Sequence, residues 1–334
     1  MTGKEKFHAI INGKSNHAGF WHGDPNAASI DKLYAYFGVK NDFELGIKLG
    51  SHCRWVMPEK FNVWARTDLP MFDFHGGKIP GRPAFYDAEN VAEIEAFHWP
   101  DPKYISITET LEEIDKTVGA GKAVLSGAWC CFFHNTADFF DMENFFMKMY
   151  DYPEVVESVI RHVVDFYLAV NEKLFNAAGS KIDALFFGND FGTQLDLLIS
   201  PELFDRFILP YFRELIDQAH RYGYRVVYHC CGAIDRIISR FIDAGVDVLH
   251  PIQAMAKNMD AESLVKKYGD RIVFMGGVDT QRLLPFGTPG DVKAEVRRLK
   301  NIFGPNYIVS PSHESILPNV PPENIIAMAE AAFE

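Results

Sequence analysis

The stretch RVVYHCCGAI, residues 225–234, contains the unit that decides the fold of this chain. Arg225 to Tyr228 predict a buried strand, because a run of β-branched and aromatic residues follows a polar turn. The strand ends within the next four residues, and a helix pattern begins near Ala233. A short strand that is apolar on both faces and leads into a helix is typical of a parallel sheet covered by helices.

The same unit recurs from residue 120 to the end of the chain. Five more short apolar strands, each followed by a helix pattern, are predicted at 123–126, 184–188, 246–251, 272–276 and 307–310. Two further segments, Gly19–Trp21 and Cys53–Val56, raise the number of strands to eight. This pattern predicts a single (β/α)8 TIM-type barrel. A doubly wound open sheet competes, but no G-x-G-x-x-G motif follows a strand, which weakens its dinucleotide-binding version.

One domain spanning residues 1–334 is the predicted organisation, with an extension at its N-terminus. Residues 61–104 are predicted to be an insertion within the barrel. Its first part, 61–88, is rich in glycine, proline and aromatic residues and has only short alternating runs. Such composition favours a hairpin or lid-like segment over a separate domain.

The amino-acid composition narrows the classes of protein to which this chain could belong. The chain is 48% hydrophobic and 23% charged, as in soluble globular proteins, and its net charge of −12 argues against nucleic acid and anionic membranes as partners. No apolar run reaches the roughly 20 residues of a spanning helix, and no signal peptide is visible. Five cysteines that include two adjacent pairs are a poor disulfide framework, which predicts a reduced, cytoplasmic protein. The sequence leaves open whether the chain forms a homodimer.

A metal-ligand pair is predicted at the end of the central strand. Side chains alternate along a strand, so His229 and Cys231 should point to one side and Cys230 to the other. An imidazole and a thiolate on one side can chelate a borderline divalent metal, usually zinc. Two ligands alone are a weak motif, and structural packing of these residues is the alternative.

Polar side chains follow most of the predicted strands, where a barrel collects its functional groups. The amino ends of the strands offer mostly cap and turn residues. His22 could instead satisfy a turn, Asp190 could cap the next segment, and His134 and His250 are more often buried than metal-binding. The residues in these positions are His22, Asp24, His52, Arg54, Trp129, His134, Asn189, Asp190, Gln194, His229, Cys231, His250, Gln253, Asp279, Gln281, His313 and Glu314.

Four motifs give the chain a family resemblance. GNDFGTQ (188–194), YHCCG (228–232), MGGVDTQ (275–281) and SPSHESILPNVPPENI (310–325) resemble the uroporphyrinogen decarboxylase superfamily. The resemblance is strongest over 120–334 and implies a (β/α)8 barrel. It also implies one of two chemistries: decarboxylation of a porphyrinogen without a cofactor, or zinc-dependent methyl transfer between a corrinoid protein and a thiol or related acceptor.

The sequence departs from the decarboxylase branch at the first strand. In that branch an arginine-bearing loop grips the substrate carboxylates, whereas here no arginine lies between Gly19 and Lys40. Arg54 alone is too little for a substrate with eight carboxylates. The resemblance therefore favours the methyltransferase branch.

The methyltransferase branch has a His-x-Cys pair after the fifth strand, which His229 and Cys231 match. Its third ligand is a cysteine after the last strand, where this chain has His313. Glu314 is the alternative third ligand, or a base. Asp190 and His22 would orient the acceptor or its hydrogen-bonded water.

The sequence therefore favours a zinc-dependent methyltransferase of one-carbon metabolism. Its partners would be a corrinoid protein, which carries the cobalamin, and a small methyl acceptor or donor. A uroporphyrinogen decarboxylase-type carboxy-lyase and a non-catalytic corrinoid or small-molecule binder are the alternatives. The predicted catalytic residues are Asp190, His22 and Glu314, the predicted cofactor-binding residues are Asn189, Gln194 and Asp279, and the predicted metal ligands are His229, Cys231 and His313.

Overall fold

Eight parallel strands form the centre of the molecule and confirm the predicted barrel. The computed structural model describes residues 1–61, 64–66, 68–77 and 80–334. Strand β8 pairs with both β1 and β7, and every other strand pairs with its neighbours in chain order down to β2. The strands are β1 (Gly19–Phe20), β2 (Cys53–Val56), β3 (Ala123–Ser126), β4 (Ala184–Gly188), β5 (Arg225–His229), β6 (Val248–Ile252), β7 (Val273–Val278) and β8 (Tyr307–Pro311).

The seam between β1 and β2 is closed through His52. Its backbone N–H donates to the carbonyl of Phe20, with nitrogen and oxygen 2.9 Å apart. The N–H of Phe20 in turn donates to Nδ1 of His52, also over 2.9 Å. Because β1 is only two residues long, a side chain supplies a hydrogen bond that a longer strand would take from its neighbour's backbone.

Apolar side chains fill the barrel interior, and a short helix plugs its lower end. Trp55, Phe186 and Met275 are buried in one cluster with Phe7 and Ile10 of the helix Gly3–Ile11. The sequence predicts only an extension here. A capping box between Thr2 and Glu5 begins the helix, and burial of its apolar face stabilises a segment too short to be helical alone.

Helices cover the outside of the barrel. Two patterns that predict single helices, over 137–150 and 201–222, each form two helices. In the second, Pro210 has no N–H to donate and its ring crowds the preceding turn, so the helix breaks near Ile208. The helices after the first are Ile30–Phe37, Asp42–Leu49, Val91–Glu95, Thr108–Gly119, Phe132–Phe140, Met142–Asp151, Pro153–Ala178, Pro201–Phe207, Leu209–Arg221, Ile238–Ala244, Ala261–Tyr268, Leu283–Phe286, Pro289–Phe303 and Pro322–Phe333.

The predicted insertion, 61–104, packs outside the barrel through aromatic rings. Phe72 and Phe85 contact Phe139, with ring centroids 6.1 and 5.1 Å apart, and Trp99 stacks on His162 at 4.6 Å. These contacts anchor its described residues on helices Phe132–Phe140 and Pro153–Ala178; residues 62, 63, 67, 78 and 79 lie outside the described part. Its movement as a lid stays a prediction.

Among the described residues, no helix combines the length and the apolar composition that a membrane crossing requires.

Candidate metal centre

His229 and Cys231 lie together at the carboxyl end of β5. Nε2 of His229 is 3.4 Å from Sγ of Cys231, and both side chains are buried. Cys230 points to the opposite side, where its sulfur accepts the N–H of Phe191. This arrangement follows from the alternation of side chains along the strand.

The loop after β8 brings His313 to the same place. One ring nitrogen of each histidine and the sulfur of Cys231 lie within 4.8 Å of one another. The loop is held by a short parallel pairing of Ser315–Ile316 with Asp24–Pro25. His313 remains the most exposed of the three predicted ligands, with 38% of its side chain accessible, so the group opens towards solvent on this side.

Glu314 and His250 lie on the other edge of the His229 imidazole. A carboxylate oxygen of Glu314 is 3.2 Å from Nδ1 of His229, and Nδ1 of His250 is 3.3 Å from the same atom. His229 and His250 are register partners on β5 and β6, which puts both imidazoles on the inner face of the barrel. Atoms of other residues that could bind a metal therefore lie next to both ring nitrogens of His229.

Asp190, from the loop after β4, fixes the position of Cys231. Its Oδ1 accepts the backbone N–H of Cys231 over 2.8 Å and lies 3.3 Å from Nε2 of His229. The same loop touches Gly232 so closely that a Cβ there would lie 2.3 Å from the carbonyl oxygen of Gly192. Two loops thus interlock around the thiol.

The charged groups of this cluster favour the binding of a cation between them. Burial alone would lower the pKa of His229, but Glu314, Cys231 and Asp190 raise that pKa well above its ordinary value. Burial would raise the pKa of Asp190, yet its hydrogen bonds hold the pKa at about 2. Burial and the neighbouring His229 lower the pKa of His250 well below its usual range, so it is the neutral imidazole that metals bind.

The donor set fits zinc. Two nitrogen ligands of a tetrahedral zinc lie about 3.3 Å apart and a nitrogen and a sulfur ligand about 3.5 Å apart, from the usual bond lengths. The separations of His229 from Cys231 and from its other neighbours are close to these values. Nε2 of His250 is also a buried nitrogen without a hydrogen-bond partner among the described residues.

His22 lies apart from the cluster. Its Nδ1 is 2.8 Å from Oγ of Ser51 and its Nε2 is 3.1 Å from a carboxylate oxygen of Asp42. Trp21 points into the barrel instead and packs against His250, so alternation turns His22 outwards. These contacts describe a buried, hydrogen-bonded histidine, and its predicted catalytic role stays a prediction.

The three residues predicted to bind the cofactor mostly organise loops. The amide of Asn189 accepts the N–H of Phe133 and donates to the carbonyl of Cys130. The carboxylate of Asp279 accepts backbone N–H groups of the following turn. Gln194 is exposed, and its side-chain oxygen is 3.5 Å from Nε2 of Gln281. Only Gln194 presents its amide to solvent, and cofactor binding by the three stays a prediction.

The sequence does not single out Glu59, and it favours a buried role for His250 over a ligand role. It places His250 at a strand end, whereas β6 runs past this residue to Ile252 and turns its ring towards His229. Glu59, beyond β2, accepts the N–H of Trp129, whose ring packs on His229 at 5.2 Å. The register of parallel strands could have identified His250, but no sequence signal marks Glu59.

Comparisons with known proteins agree with this architecture. Residues 72–334 match the family described as "Uroporphyrinogen decarboxylase (URO-D)". Two curated proteins named uroporphyrinogen decarboxylase, from Geobacter metallireducens and Geobacter sulfurreducens, are 25% and 24% identical over 265 residues, which is 75% of this chain and 72% of theirs. A solved structure described as a methyltransferase from Methanosarcina mazei is 17% identical with a TM-score of 0.69, over 100% of this chain and 98% of that one. That structural likeness shows the fold.

Proposed function

Because this chain belongs to the uroporphyrinogen decarboxylase family, we propose that it is a zinc-dependent methyltransferase acting between a corrinoid protein and a thiol or related small acceptor. The contact between Nε2 of His229 and Sγ of Cys231, with a nitrogen of His313 nearby, carries the proposal. The fold shared with the Methanosarcina mazei methyltransferase supports it.

In this proposal His229, Cys231 and His313 hold zinc at the barrel mouth, with Glu314 and Asp190 orienting them. A bound zinc lowers the pKa of a thiol, so that the acceptor is a thiolate at neutral pH. With a corrinoid protein bound, the methyl group would pass from cobalt to the acceptor sulfur, and cobalt would keep the electron pair of the broken bond. Asp190, with 41% of its side chain accessible, would orient the acceptor or its hydrogen-bonded water, and the thiol proton would pass to solvent.

The third ligand depends on a proton position. The backbone N–H of Ser315 donates to Nδ1 of His313 over 3.0 Å, which leaves the proton of a neutral imidazole on Nε2. Coordination through Nε2 therefore requires this hydrogen bond to break. The carboxylate of Glu314 needs no such change, so Glu314 is the alternative third ligand.

The rim of the barrel offers a surface for the corrinoid protein. The loops after β4, β6 and β7 are joined at Gln194, whose carbonyl accepts the N–H of Lys257 and whose side chain meets Gln281. Leu195 and Phe286, on two of these loops, are 73% and 76% exposed. Exposed apolar side chains on segments that follow the strands are what a docking partner would cover.

Replacement of Cys231 tests the proposal. The protein purified without chelator should hold zinc at this site, and Cys231→Ala should lose the zinc bound there together with at least about 100-fold of the methyl transfer from methylcobalamin to a thiol. Elemental analysis and the visible spectrum of cobalamin measure both. Cys230→Ala, a change on the opposite face of the same strand, is the matched control and should keep zinc and activity.

A Cys231→Ala protein with full zinc and full activity would contradict the proposal. The charge-transfer band from the Cys231 sulfur to bound Co²⁺ decides the third ligand between His313→Ala and Glu314→Gln, because the variant that lacks this ligand should lose more of the band. Metal content and methyl transfer, measured in each variant, show whether a substitution removes the metal or only the reaction.

Decarboxylation is the second candidate, because both curated relatives are named uroporphyrinogen decarboxylase. Against it, no arginine lies between Gly19 and Lys40, and Arg54 is 2.8 Å from Glu113 instead of facing the barrel mouth. Incubation with uroporphyrinogen and chromatography of the products tests this activity. Coproporphyrinogen formed at a rate that chelators leave unchanged would favour the decarboxylase over the methyltransferase.

A further inference from the structure

We propose that His229, His250 and Glu314 form a second binding site for a divalent metal, on the opposite edge of the imidazole that the first site uses. The first site takes Nε2 of His229 with Cys231 and His313. The second takes Nδ1 of His229 with Nδ1 of His250 and the carboxylate of Glu314. It shares one residue with the methyltransferase site but needs no methyl transfer.

The distances fit a metal between these three groups. Nδ1 of His229 is 3.2 Å from Oε2 of Glu314 and 3.3 Å from Nδ1 of His250, and the three ligand atoms lie within 4.8 Å of one another. Ligand atoms bound at about 2.0–2.1 Å to one tetrahedral zinc are separated by about 3.3 Å. Little rearrangement would be needed to admit a cation.

One ligand atom of the second site lacks the partner that a buried polar group ordinarily has. Oε2 of Glu314 is buried near two histidine nitrogens, yet it makes no hydrogen bond of ordinary geometry within the described chain. A metal held by Oε2 would satisfy that oxygen.

Packing holds the ligands in place without a metal. The ring of His250 lies edge to face against Trp21 and Phe186, with centroids 5.4 Å apart in each case. The pairing of β5 with β6 fixes His229 beside it. Ligands that are preset by strand register and aromatic packing lose little conformational freedom when a cation binds.

The ligands of the second site are harder, in the sense of hard and soft metal ligands, than those of the first site. Two imidazoles and one carboxylate bind zinc in hydrolytic enzymes and ferrous iron in oxygenases, whereas thiolate prefers softer ions. His229 would offer one ring nitrogen to each ion, and Asp190, Glu314 and Cys231 would supply negative charge beside them.

Metal stoichiometry of the full chain tests the second site, with Zn²⁺ as the probe. After dialysis against excess zinc and removal of the free ion, elemental analysis should give two zinc ions per chain for the parent protein. Cys231→Ala and His250→Phe should each keep one, and His229→Ala should keep none. His162→Phe, which changes a histidine stacked on Trp99 away from the barrel mouth, is the control and should keep two.

Cobalt substitution tells the two positions apart without an activity assay. The near-ultraviolet charge-transfer band from thiolate to Co²⁺ should persist in His250→Phe and disappear in Cys231→Ala, while the weaker visible bands of the remaining ion stay. Far-ultraviolet circular dichroism identifies a variant that fails to fold. Glu314→Gln then replaces His250→Phe, because it keeps the side-chain size.

The outcomes separate the two proposals. One zinc per chain in the parent protein that His250→Phe and Glu314→Gln leave unchanged would overturn the second site and leave the methyltransferase proposal standing. Loss of the single zinc in His250→Phe, with metal and activity retained in Cys231→Ala, would support the second site and overturn the thiolate-based methyltransferase.

Discussion

The carboxyl group of Glu59 shows how one residue shapes the wall of the candidate centre. One oxygen accepts the backbone N–H of Trp129 over 2.8 Å, and the other is buried without a partner among the described residues. Burial raises the pKa of Glu59 to about 7, although hydrogen bonds from backbone N–H groups oppose the shift. Glu59 thereby positions the segment whose indole, Trp129, packs on His229.

Replacement of Glu59 by glutamine should make stability depend less on pH. A folded-state pKa near 7, above the unfolded value, favours folding at low pH, and this contribution is lost as pH rises through about 7. Glutamine stays neutral and can still accept the N–H of Trp129. Relative to the parent, Glu59→Gln should therefore gain roughly 2–3 kcal/mol in unfolding free energy between pH 5 and pH 8.

Urea titrations at the two pH values measure this difference. Glu109→Gln, at an exposed position, is the control. A parent-to-variant difference that is the same at pH 5 and pH 8 would show that Glu59 is hydrated in solution.

Single residues also show what the sequence could and could not predict. The shared direction of His229 and Cys231 follows from strand alternation alone. The same alternation turns His22 away from the barrel, because the preceding residue, Trp21, points inwards. The contact of His250 with His229 follows from strand register, whereas Glu59 depends on a neighbour that is distant in sequence, so only the folded chain identifies its role.

At the scale of elements, the contact between the loops after β4 and β5 holds the metal ligands together. Gly232 has a φ of +91°, and its backbone lies against Gly192 with no room for a Cβ. The backbone N–H of Gly232 also donates to Gln253, from the loop after β6. Three loops thus meet at one glycine beside Cys231.

Gly232→Ala should displace this junction. The left-handed backbone alone costs about 1–2 kcal/mol with a side chain, and contact with Gly192 adds to that. We expect a loss of unfolding free energy above 2 kcal/mol and weaker zinc binding, measured by urea titration and by competition with a chromophoric chelator.

Gly223→Ala is the matched control, since its φ is +78° but no atom lies within 4 Å of the added Cβ. It should lose only about 1 kcal/mol and keep its zinc affinity. Equal effects of the two substitutions would show that the loop contact does not hold Cys231.

Elements differ in how well sequence predicts them. Buried strands such as β3 and β4 are predicted to the residue, because unbroken apolar runs bounded by turns leave little choice of boundary. The helix Gly3–Ile11 has only two buried positions, Phe7 and Ile10, which is too short a pattern to recognise. Tertiary contact with the barrel stabilises it as a helix.

At the scale of the whole molecule, Asp183 attaches the helix Gly3–Ile11 to the bottom of the barrel. Asp183, just before β4, is 2.6 Å from Nε2 of His8 and 3.0 Å from Nζ of Lys4, and it accepts the N–H of Val124. Burial alone would raise the pKa of Asp183, but these hydrogen bonds hold its pKa below the ordinary range. One carboxylate thus joins the helix to two strands.

Asp183→Asn should destabilise the protein at neutral pH and not in acid. A lowered folded-state pKa contributes stability above the unfolded value of about 3.9, and this contribution is lost as pH falls through the folded pKa. The loss at pH 7 should be about 1–3 kcal/mol and should shrink towards pH 3, in thermal or urea unfolding.

Asp115→Asn, which removes an exposed ion pair with Lys181, is the control and should cost less than about 1 kcal/mol. A loss from Asp183→Asn that is the same at both pH values would exclude the charge of Asp183 as the cause.

The pairing of β1 with β8 joins Gly19 to Ile308 and Phe20 to Val309. On the ribosome, the first of these strands is made early and waits for its neighbour until almost the entire chain has been synthesised. During that interval Trp21 and the inner face of β2 lack part of their cover, which is a state that chaperones recognise. Synthesis speed and chaperone supply should therefore affect how much active protein a cell obtains.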